Sequence, residues 1–531
     1  MLMISHAQAQ RRREKQSWQR SAFLCGFAPV RGKSIVLLAA VLVALGIGLA
    51  CQLMQGSGGG AIMVGANSDL QRAIERAQPG DVIVVDANAV YTGPFTLPNK
   101  SGSSYITIQS SRVAELPEGV RVGPQQSALF AKLVSATPGA PVIKTDPGSH
   151  HYRFVGVEIS TAKSDVKAYD LVQLGDSKQI SAQVPHDFVI DRSYIHGFPD
   201  QDVQRGVSLN AAEITVSNSY ISDIHGRGYD TQALCGWNGP GPFHIVNNYL
   251  EASGENVMFG GALPSITNLI PSNIEIRGNY FFKPLSWKVG DPSYAGTHWS
   301  VKNLLEFKNA RNVVVDGNVL ENCWTDAQIG YAVLFTVRSE DGKAPWATVE
   351  NVTFTNNTVK NSDQGIQMLG SDSPKPSGRG NKVVISNNLL TDIKNRFLTI
   401  SGFYNVTIDH NTHFQNGNIM ALHGEPSNGF VYTNNITNRA ASSYGIFGDG
   451  VGEGNAALAK FLPGSIMRKN ILIGAPPSQY PAGNAFPVTL EAVGFQEPQK
   501  GNYRLGAKSP FKGSGTDSRD PGCQLDRFQS H

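Results

Sequence analysis

The chain has 531 residues, 16% of them charged and 56 of them glycine, a composition that suits a β-rich, turn-rich extracellular protein better than a helical cytosolic enzyme. The formal net charge is +3, but seven basic residues and a single acidic one fall within positions 1–50, so the remainder is mildly acidic. Because phosphate binding needs a concentrated basic face, this balance argues against nucleic acid as the main partner.

Positions 1–54 are predicted to be a signal peptide or membrane anchor that exports the protein. Residues 1–33 are polar and basic, and 35–50 are apolar apart from glycines, an order typical of a secretion signal. Two outcomes stay open. Cleavage after Ala50 would expose Cys51 as a lipoprotein N-terminus, whereas retention would leave an anchor, since the apolar run is nearly long enough to span a membrane. In both cases the rest of the chain lies in the periplasm or outside the cell and touches the membrane only through this segment.

A glycine-rich stretch makes 55–66 a predicted linker, and an amphipathic helix is predicted over 67–78. The expected N-cap is Asn67 or Ser68, and a Pro-Gly pair at 79–80 ends the helix. The repeats that follow predict a solenoid, and a single helix ahead of its first coil would cover the open end.

One short phrase returns three times, at 352–359, 383–390 and 406–413. Each copy alternates apolar and polar residues, as in a half-buried strand, and then has a polar pair ending in Asn. Asn tolerates the left-handed backbone of a tight corner, and its amide can hydrogen-bond the Asn stacked on it. Such a unit cannot bury its apolar face alone, so the copies must stack. We therefore predict an all-β, single-stranded parallel β-helix over 67–531.

The same corner can be traced through most of the chain at intervals of 23 to 39 residues. Its anchor positions are Ser193, Ser219, Asn248, Asn279, Asn318, Asn357, Asn388, Asn411, Asn435 and Asn470. The longest intervals lie between Asn279 and Asn357. Inserted loops tend to build the binding face of a solenoid, so we expect function there.

Both ends of the chain resemble right-handed parallel β-helix proteins of the pectate-lyase-like superfamily. The resemblance lies in 70–97, which contains Gln-Pro-Gly-Asp at 78–81, and in the closing segment 503–522. It implies a right-handed coil. Because members commonly act on acidic polysaccharides as lyases, hydrolases or epimerases, it also implies a polysaccharide partner.

The motifs of individual enzyme families are incomplete, so no specific family is matched. Ile-Asp-His at 408–410 lacks the partner segments of pectate lyases, and no catalytic Lys follows Gly-Glu at 254–255 as in alginate and chondroitin lyases. The five cysteines are too scattered to indicate a disulfide or zinc framework. Superfamily analogy allows Ca²⁺ as a cofactor, although the sequence identifies no metal site.

Strand alternation places charged residues on an outer face. Leu305 and Phe307 are expected inside, so Glu306 and Lys308 point outward, and Arg338 is expected outside in the next coil. β-Elimination on a uronate chain needs a base for the proton at C5 and positive charge at the carboxylate. We take Lys308 as the candidate base, influenced by the charge of Arg338, Arg338 as the group that binds the carboxylate, and Glu306 as the third catalytic residue. The alternative is a sheet face that is merely charged and solvated.

Aromatic residues concentrate in the same insertions. Their flat faces are suited to stacking on sugar rings, and tryptophans in loops are rarely needed for the core of a solenoid. The candidate binding residues are Trp287, His298, Trp299, Trp324 and Trp346, with Trp237 in a separate Gly- and Pro-rich loop. The alternative is that these side chains pack the long loops onto the body.

Together these observations favour an exported carbohydrate-active protein, expected to be a monomer, that acts on an acidic polysaccharide by lyase-type β-elimination. A non-catalytic polysaccharide-binding or surface protein is the main alternative, since a fold does not imply activity. A glycoside hydrolase is the third. Glu306 with Asp326 or Glu255 would supply its two carboxylates, whose separation decides the mechanism.

Overall fold

The computed structural model describes residues 59–524, which form a parallel β-helix as predicted. A typical coil contributes one strand to each of three sheets, named sheet 1, sheet 2 and sheet 3 in the order in which the coil crosses them. Crossovers between parallel strands of one sheet wind right-handed. The predicted export segment, 1–54, lies outside the described residues. No helix within 59–524 is long and apolar enough to cross a membrane.

The strands of the three sheets are numbered in chain order. Sheet 1 contains β1 (Ala61–Val64), β2 (Val82–Val85), β5 (Ile106–Ser110), β8 (His150–Val155), β11 (His186–Asp191), β14 (Ala212–Ser217), β17 (Phe243–Val246), β20 (Ser272–Arg277), β23 (Ala310–Asp316), β26 (Val349–Thr355), β29 (Asn381–Ser386), β32 (Tyr404–Asp409), β35 (Val431–Thr433) and β39 (Ile466–Arg468). Sheet 2 contains β3 (Val90–Gly93), β6 (Ala131–Ser135), β9 (Val157–Thr161), β12 (Tyr194–His196), β15 (Tyr220–Ile224), β18 (Tyr249–Ala252), β21 (Tyr280–Phe282), β24 (Val319–Cys323), β27 (Thr358–Ser362), β30 (Leu389–Ile393), β33 (Thr412–Gln415), β36 (Ile436–Asn438) and β40 (Ile471–Ile473). Sheet 3 contains β4 (Phe95–Leu97), β7 (Ile143–Thr145), β10 (Ala168–Leu174), β13 (Val203–Leu209), β16 (Gln232–Gly236), β19 (Glu255–Phe259), β22 (Leu305–Phe307), β25 (Tyr331–Thr336), β28 (Gln364–Leu369), β31 (Leu398–Ser401), β34 (Met420–Leu422), β37 (Ile446–Gly448) and the antiparallel β38 (Gly452–Glu453). A separate hairpin is formed by β41 (Phe495–Glu497) and β42 (Asn502–Leu505).

Helices are few and short. The α-helices are α1 (Leu70–Arg76) and α2 (Asn455–Phe461). The 3₁₀ helices are Val113–Glu115, Pro124–Leu129, Ser181–Gln183, Leu285–Trp287, Pro477–Gln479, Glu491–Val493 and Pro498–Lys500. The described chain is therefore almost entirely strands and the loops that join them.

The β-helix begins earlier than predicted, because β1 lies inside the stretch expected to be a linker and pairs in parallel with β2. Helix α1 follows within the segment predicted to be helical. Its N-cap is Asp69 rather than Asn67 or Ser68, because the Asp69 carboxylate accepts the N–H of Arg72 at 2.9 Å. The apolar side of α1 packs into the core of the β-helix.

An asparagine ladder runs through the corner between sheets 1 and 2, as the repeats predicted. Oδ1 of Asn357 accepts both the backbone N–H and the Nδ2 of Asn318, each at 2.9 Å. The same pair of bonds joins successive ladder residues from Asn248 to Asn470. The left-handed backbone belongs instead to the preceding residue, such as Asn356 with φ of 57°. We expected one Asn to supply both the left-handed backbone and the ladder hydrogen bonds, but two neighbouring residues supply one each.

The interior is an apolar column that continues from coil to coil. Leu305 and Phe307 are fully buried in it, and Glu306 lies on the opposite face of β22, as the alternation predicted. The Phe307 ring stacks on Phe335 of the next coil, with centroids 5.8 Å apart, and contacts Phe259 of the coil before. Stacking of this kind fixes the register, so outward residues of neighbouring coils line up in rows.

Candidate functional site

The strands of sheet 3 begin with a bend that decides which residues face outward. At the start of β19, the backbone N–H groups of Asn256 and Val257 both donate to the carbonyl oxygen of Leu304, at 3.1 and 3.2 Å, and both side chains are buried inside the coil. The Asn256 side chain donates to two further main-chain carbonyls there. Glu255 consequently faces outward, although alternation counted back from Val257 places it inside.

Lys283 stabilises this bend from inside the coil. It is fully buried, and its Nζ donates to three consecutive main-chain carbonyl oxygens at 252–254, at 2.6 to 3.0 Å, and to Oδ1 of Asn256 at 3.1 Å. Burial lowers the pKa of Lys283 to about 8. The contacts hold the backbone immediately before Glu255 and so fix where its carboxylate emerges.

Glu255 is held as an ionised carboxylate. Its Oε1 lies 2.8 Å from Nζ of Lys302, and its Oε2 accepts Nε2 of Gln232 at 2.8 Å. Lys302 also donates to Asp230, at 2.7 Å. Burial alone would raise the pKa of Glu255, but the charges of Lys302 and Lys308 outweigh it and lower that pKa. Burial likewise opposes the charge of Lys302, yet the neighbouring carboxylates raise its pKa.

The pKa of Glu306, one coil further on, is shifted in the opposite direction. Only 2% of it is exposed, its Oε2 lies 3.7 Å from Nζ of Lys308, and the same oxygen accepts Nδ2 of Asn303 at 3.2 Å. Burial raises the pKa of Glu306, and the negative charge of Glu255 adds to this against the opposing charge of Lys308. Neighbouring carboxyl groups with opposite pKa shifts are a common arrangement for acid–base work.

Lys308 and Arg338 are more accessible than the carboxylates that they face. The exposed fraction is 17% for the Lys308 side chain and 36% for the Arg338 side chain. We expected the charge of Arg338 to act on Lys308. Instead, Lys308 faces Glu306, and the Arg338 guanidinium lies 3.6 Å from the carboxylate of Asp372. The structure thus places Glu306, Lys308 and Arg338 on one face but pairs each cation with its own carboxylate.

The tryptophans of the insertions bind the loops to the body, which corrects the prediction that they bind sugar. A separate apolar cluster consists of Trp287, Trp299, Trp324 and Val301. Trp299 is covered on one side by the ring of His225, at a centroid distance of 3.8 Å, and the guanidinium of Arg227 lies 5.5 Å from its centroid. No ring face of Trp299 is left for a sugar.

The other aromatic candidates also have contacts within the protein. Trp237 is almost fully buried, with the Arg205 guanidinium 4.9 Å from its ring centroid. Trp346 is half-buried, and its Nε1 donates to a main-chain carbonyl at 3.0 Å, which ties its loop down. His298 is exposed and its Nε2 lies 2.8 Å from a carboxylate oxygen of Asp326.

Sequence reasoning missed a cleft of about 590 Å³ on the same sheet, at its third to fifth strands. It is lined by the segments that lead into β10, β13 and β16, and it contains the exposed rings of Tyr169 and Tyr229. Nζ of Lys167 lies 4.7 Å from the centroid of the Tyr169 ring, and Arg227 pairs with Asp202 at the same cleft. The signal available in the sequence was Tyr169, an aromatic residue at the start of β10. The prediction did not include it because the longest insertions lie elsewhere.

Side chains spaced for a metal ion lie on a different sheet. Among residues 59–524, the group of three or more with donor atoms within 4.8 Å of one another is His151, His186 and Asp187, on sheet 1. On sheet 3, Glu255 and Glu306 face lysines and amides instead. Ca²⁺ at this face therefore stays an expectation from the resemblance.

No family model and no curated protein matches the chain. Several solved structures are similar to it in fold. They include an alginate lyase from Paenibacillus sp. (13% identity, TM-score 0.33, 69% of this chain and 97% of that one), the catalytic unit of a GH87 α-1,3-glucanase from Streptomyces thermodiastaticus (11%, 0.45, 82% and 71%) and PfbA, a surface adhesin of Streptococcus pneumoniae (10%, 0.39, 82% and 90%). At these identities the likeness concerns the fold alone.

Proposed function

We propose that this protein is an exported carbohydrate-active enzyme that binds an acidic polysaccharide across the outer face of sheet 3 and cleaves it by β-elimination. The pair formed by Glu306 and Lys308 carries the proposal. A carboxyl group with a raised pKa lies 3.7 Å from the amine of Lys308, and the partly exposed Arg338 lies on the same face. Export rests on the basic and apolar order of residues 1–50.

In the proposed reaction, the Glu306–Lys308 pair reacts in the form in which its one proton lies on Glu306 and the Lys308 amine is neutral. That amine takes the proton from C5 of a uronate ring, while Arg338 faces the carboxylate on which negative charge develops. The C4–O4 bond breaks as a C4=C5 double bond forms, and O4 leaves with a proton from Glu306. Glu306 suits the role of acid because its raised pKa favours the protonated form. Glu255 stays ionised beside it and so helps to keep that proton in place.

The bound chain would extend towards the 590 Å³ cleft at the starts of β10, β13 and β16. Tyr169 and Tyr229 are the exposed rings there and would stack on sugars. Lys167 lines the same cleft and would meet a uronate carboxylate. Sugar stacking is thus assigned to tyrosines rather than to the buried tryptophans.

The test is incubation of the full chain with a panel of uronate polysaccharides, followed at roughly 235 nm, where the double bond left by C5 proton abstraction absorbs. A rise in absorbance on any member supports the lyase. New reducing ends without that absorbance indicate hydrolysis and overturn the elimination step.

A non-catalytic polysaccharide-binding protein is the second candidate, favoured by one observation. Glu255 is fully buried and Glu306 almost so, whereas Lys308 and Arg338 are open to a ligand. Binding to a uronate polysaccharide without any cleavage across the panel would support this reading.

A further inference from the structure

The corner between sheets 3 and 1 carries a second ladder, at the second or third residue of sheet-1 strands, where the backbone is left-handed. In the coils of β20, β23 and β26 this position holds Asn273, Asn312 and Asn351, which bond one another, as from Nδ2 of Asn351 to Oδ1 of Asn312 at 3.0 Å. In three earlier coils it holds His151, Asp187 and Glu213 instead, with φ of 59°, 61° and 52°. The ladder therefore changes from amide side chains that hydrogen-bond one another to imidazole and carboxylate side chains, which are common metal ligands.

The donor atoms of this stretch converge. Oδ2 of Asp187 lies 2.6 Å from Nδ1 of His186 and 3.9 Å from Nε2 of His151. Each of the three residues has a donor atom within 4.8 Å of the others. Ligands about 2.0 to 2.2 Å from one ion require only small side-chain movements from these separations.

Neighbouring groups hold the ligands in orientation, as is usual around bound metal. Nδ1 of His150 lies 2.7 Å from Nδ1 of His151, so the other nitrogen of His151, Nε2, is turned towards Asp187. The ring of His150 also stacks on that of His186 in the next coil, with centroids 4.7 Å apart and planes 5° from parallel. Glu213 occupies the position next to Asp187 in the coil beyond.

We propose that His151 Nε2, His186 Nδ1 and Asp187 Oδ2 bind one divalent transition-metal ion of the zinc type, which joins the coils of β8 and β11. Two imidazoles and one carboxylate are the ligands that such ions prefer, whereas Ca²⁺ takes six to eight oxygens. Three protein ligands leave a fourth position free. His186 and Glu213 also line a cleft of about 720 Å³, from which water or a ligand would reach that position.

The test is equilibrium dialysis of the full chain against Zn²⁺, with the bound metal quantified. His186→Ala should lose one equivalent of Zn²⁺, or bind it at least about tenfold more weakly, since even the loss of a supporting group around a metal weakens binding to this extent. The matched control is His244→Ala. This histidine also lies near the start of a sheet-1 strand, β17, and its side chain is about as exposed as that of His186. It is paired with the carboxylate of Glu275 at 2.7 Å. It should keep the full number of equivalents.

Asp187→Asn provides a second variant with no change of volume, and Asn tolerates the left-handed backbone at this position. Circular dichroism and a melting curve establish that each variant is folded. Equal Zn²⁺ binding by the wild type and both folded variants would overturn the proposal. Displacement of the bound Zn²⁺ by an equal concentration of Ca²⁺ would overturn the assignment to a transition metal.

Discussion

Nζ of Lys302 lies 2.8 Å from Oε1 of Glu255, and both side chains are almost entirely buried although they lie on the outer face of the solenoid. The pair is reinforced by Asp230 on the lysine and by Gln232 on the carboxylate. A charge in such a place is stable only with its partner, because no water can replace the lost contact.

The first prediction follows from this pair. Lys302→Met should lower the free energy of unfolding by about 3 to 5 kcal/mol, because it leaves Glu255 buried and unpaired. Adding Glu255→Gln should restore most of that loss, which a urea denaturation series on the two single variants and the double variant will measure. Lys375→Met, which breaks an exposed pair with Asp341, is the control and should leave stability nearly unchanged. A Lys302→Met variant as stable as this control would contradict the prediction.

The second prediction concerns pH. Glu251 is buried on sheet 2, where its oxygens accept Tyr249 Oη at 2.7 Å and the N–H of Asp223 at 3.0 Å. Burial, and after it the charge of Asp223, raises the pKa of Glu251 to about 7. In the unfolded chain the pKa is about 4.3, so between these values only the folded state holds the proton. This contribution to stability is therefore present at low pH and is lost as the pH rises towards 7.

Glu251→Gln should remove this dependence. The stability difference between variant and wild type should change by about 3 kcal/mol, in favour of the variant, from about pH 4 to about pH 8. Denaturation at several pH values checks it, and the difference cancels the titration of all other groups. Parallel stability curves for the two proteins would show that Glu251 titrates normally.

The asparagine ladder and the outward position of Glu306 were predictable because both depend on local alternation and on a side chain that bonds its own copy in the next coil. Glu255 was predicted only as an alternative second carboxylate of a hydrolase. Its outward position was not predictable because Asn256 and Val257 both turn inward, and this bend depends on Leu304 in another coil. Trp299 was misjudged because a loop tryptophan and a core tryptophan have the same sequence signature. Its covering residue, His225, lies far away in the chain.

The third prediction separates buried from exposed aromatic rings. Trp299→Ala should destabilise the fold by about 3 to 5 kcal/mol, as other buried aromatic truncations do. Tyr229→Ala should leave the melting transition unchanged and weaken polysaccharide affinity by about 1 to 3 kcal/mol, the scale of ring stacking on nucleic-acid bases. Tyr444→Ala removes a ring outside the cleft that is more exposed than Tyr229 (62% against 37%) and is the control. Unaltered affinity in Tyr229→Ala would remove the cleft from the binding site.

The fourth prediction tests the accessible cation. Arg338→Ala should abolish or strongly reduce turnover of a uronate polysaccharide while changing the unfolding free energy by no more than about 0.5 kcal/mol, because the side chain is partly exposed and lies outside the core. The control is Arg311→Ala on sheet 1, which removes a similarly exposed arginine paired with Glu350. If both variants lose activity equally, the loss reflects the reduced positive charge of the protein as a whole and not a site on sheet 3.

The last prediction tests the acid. Glu306→Gln keeps the volume and the contact with Asn303 but cannot donate a carboxyl proton, so turnover should fall by about 10² to 10⁴, the usual contribution of a positioned acid or base. Stability should fall little, because burial, which raises the pKa of Glu306, already disfavours the charge that the substitution removes. Binding measured on a cleavage-resistant uronate oligomer should persist, since Lys308 and Arg338 remain. Loss of binding together with turnover would make Glu306 a structural residue and transfer the chemistry to Lys308 alone.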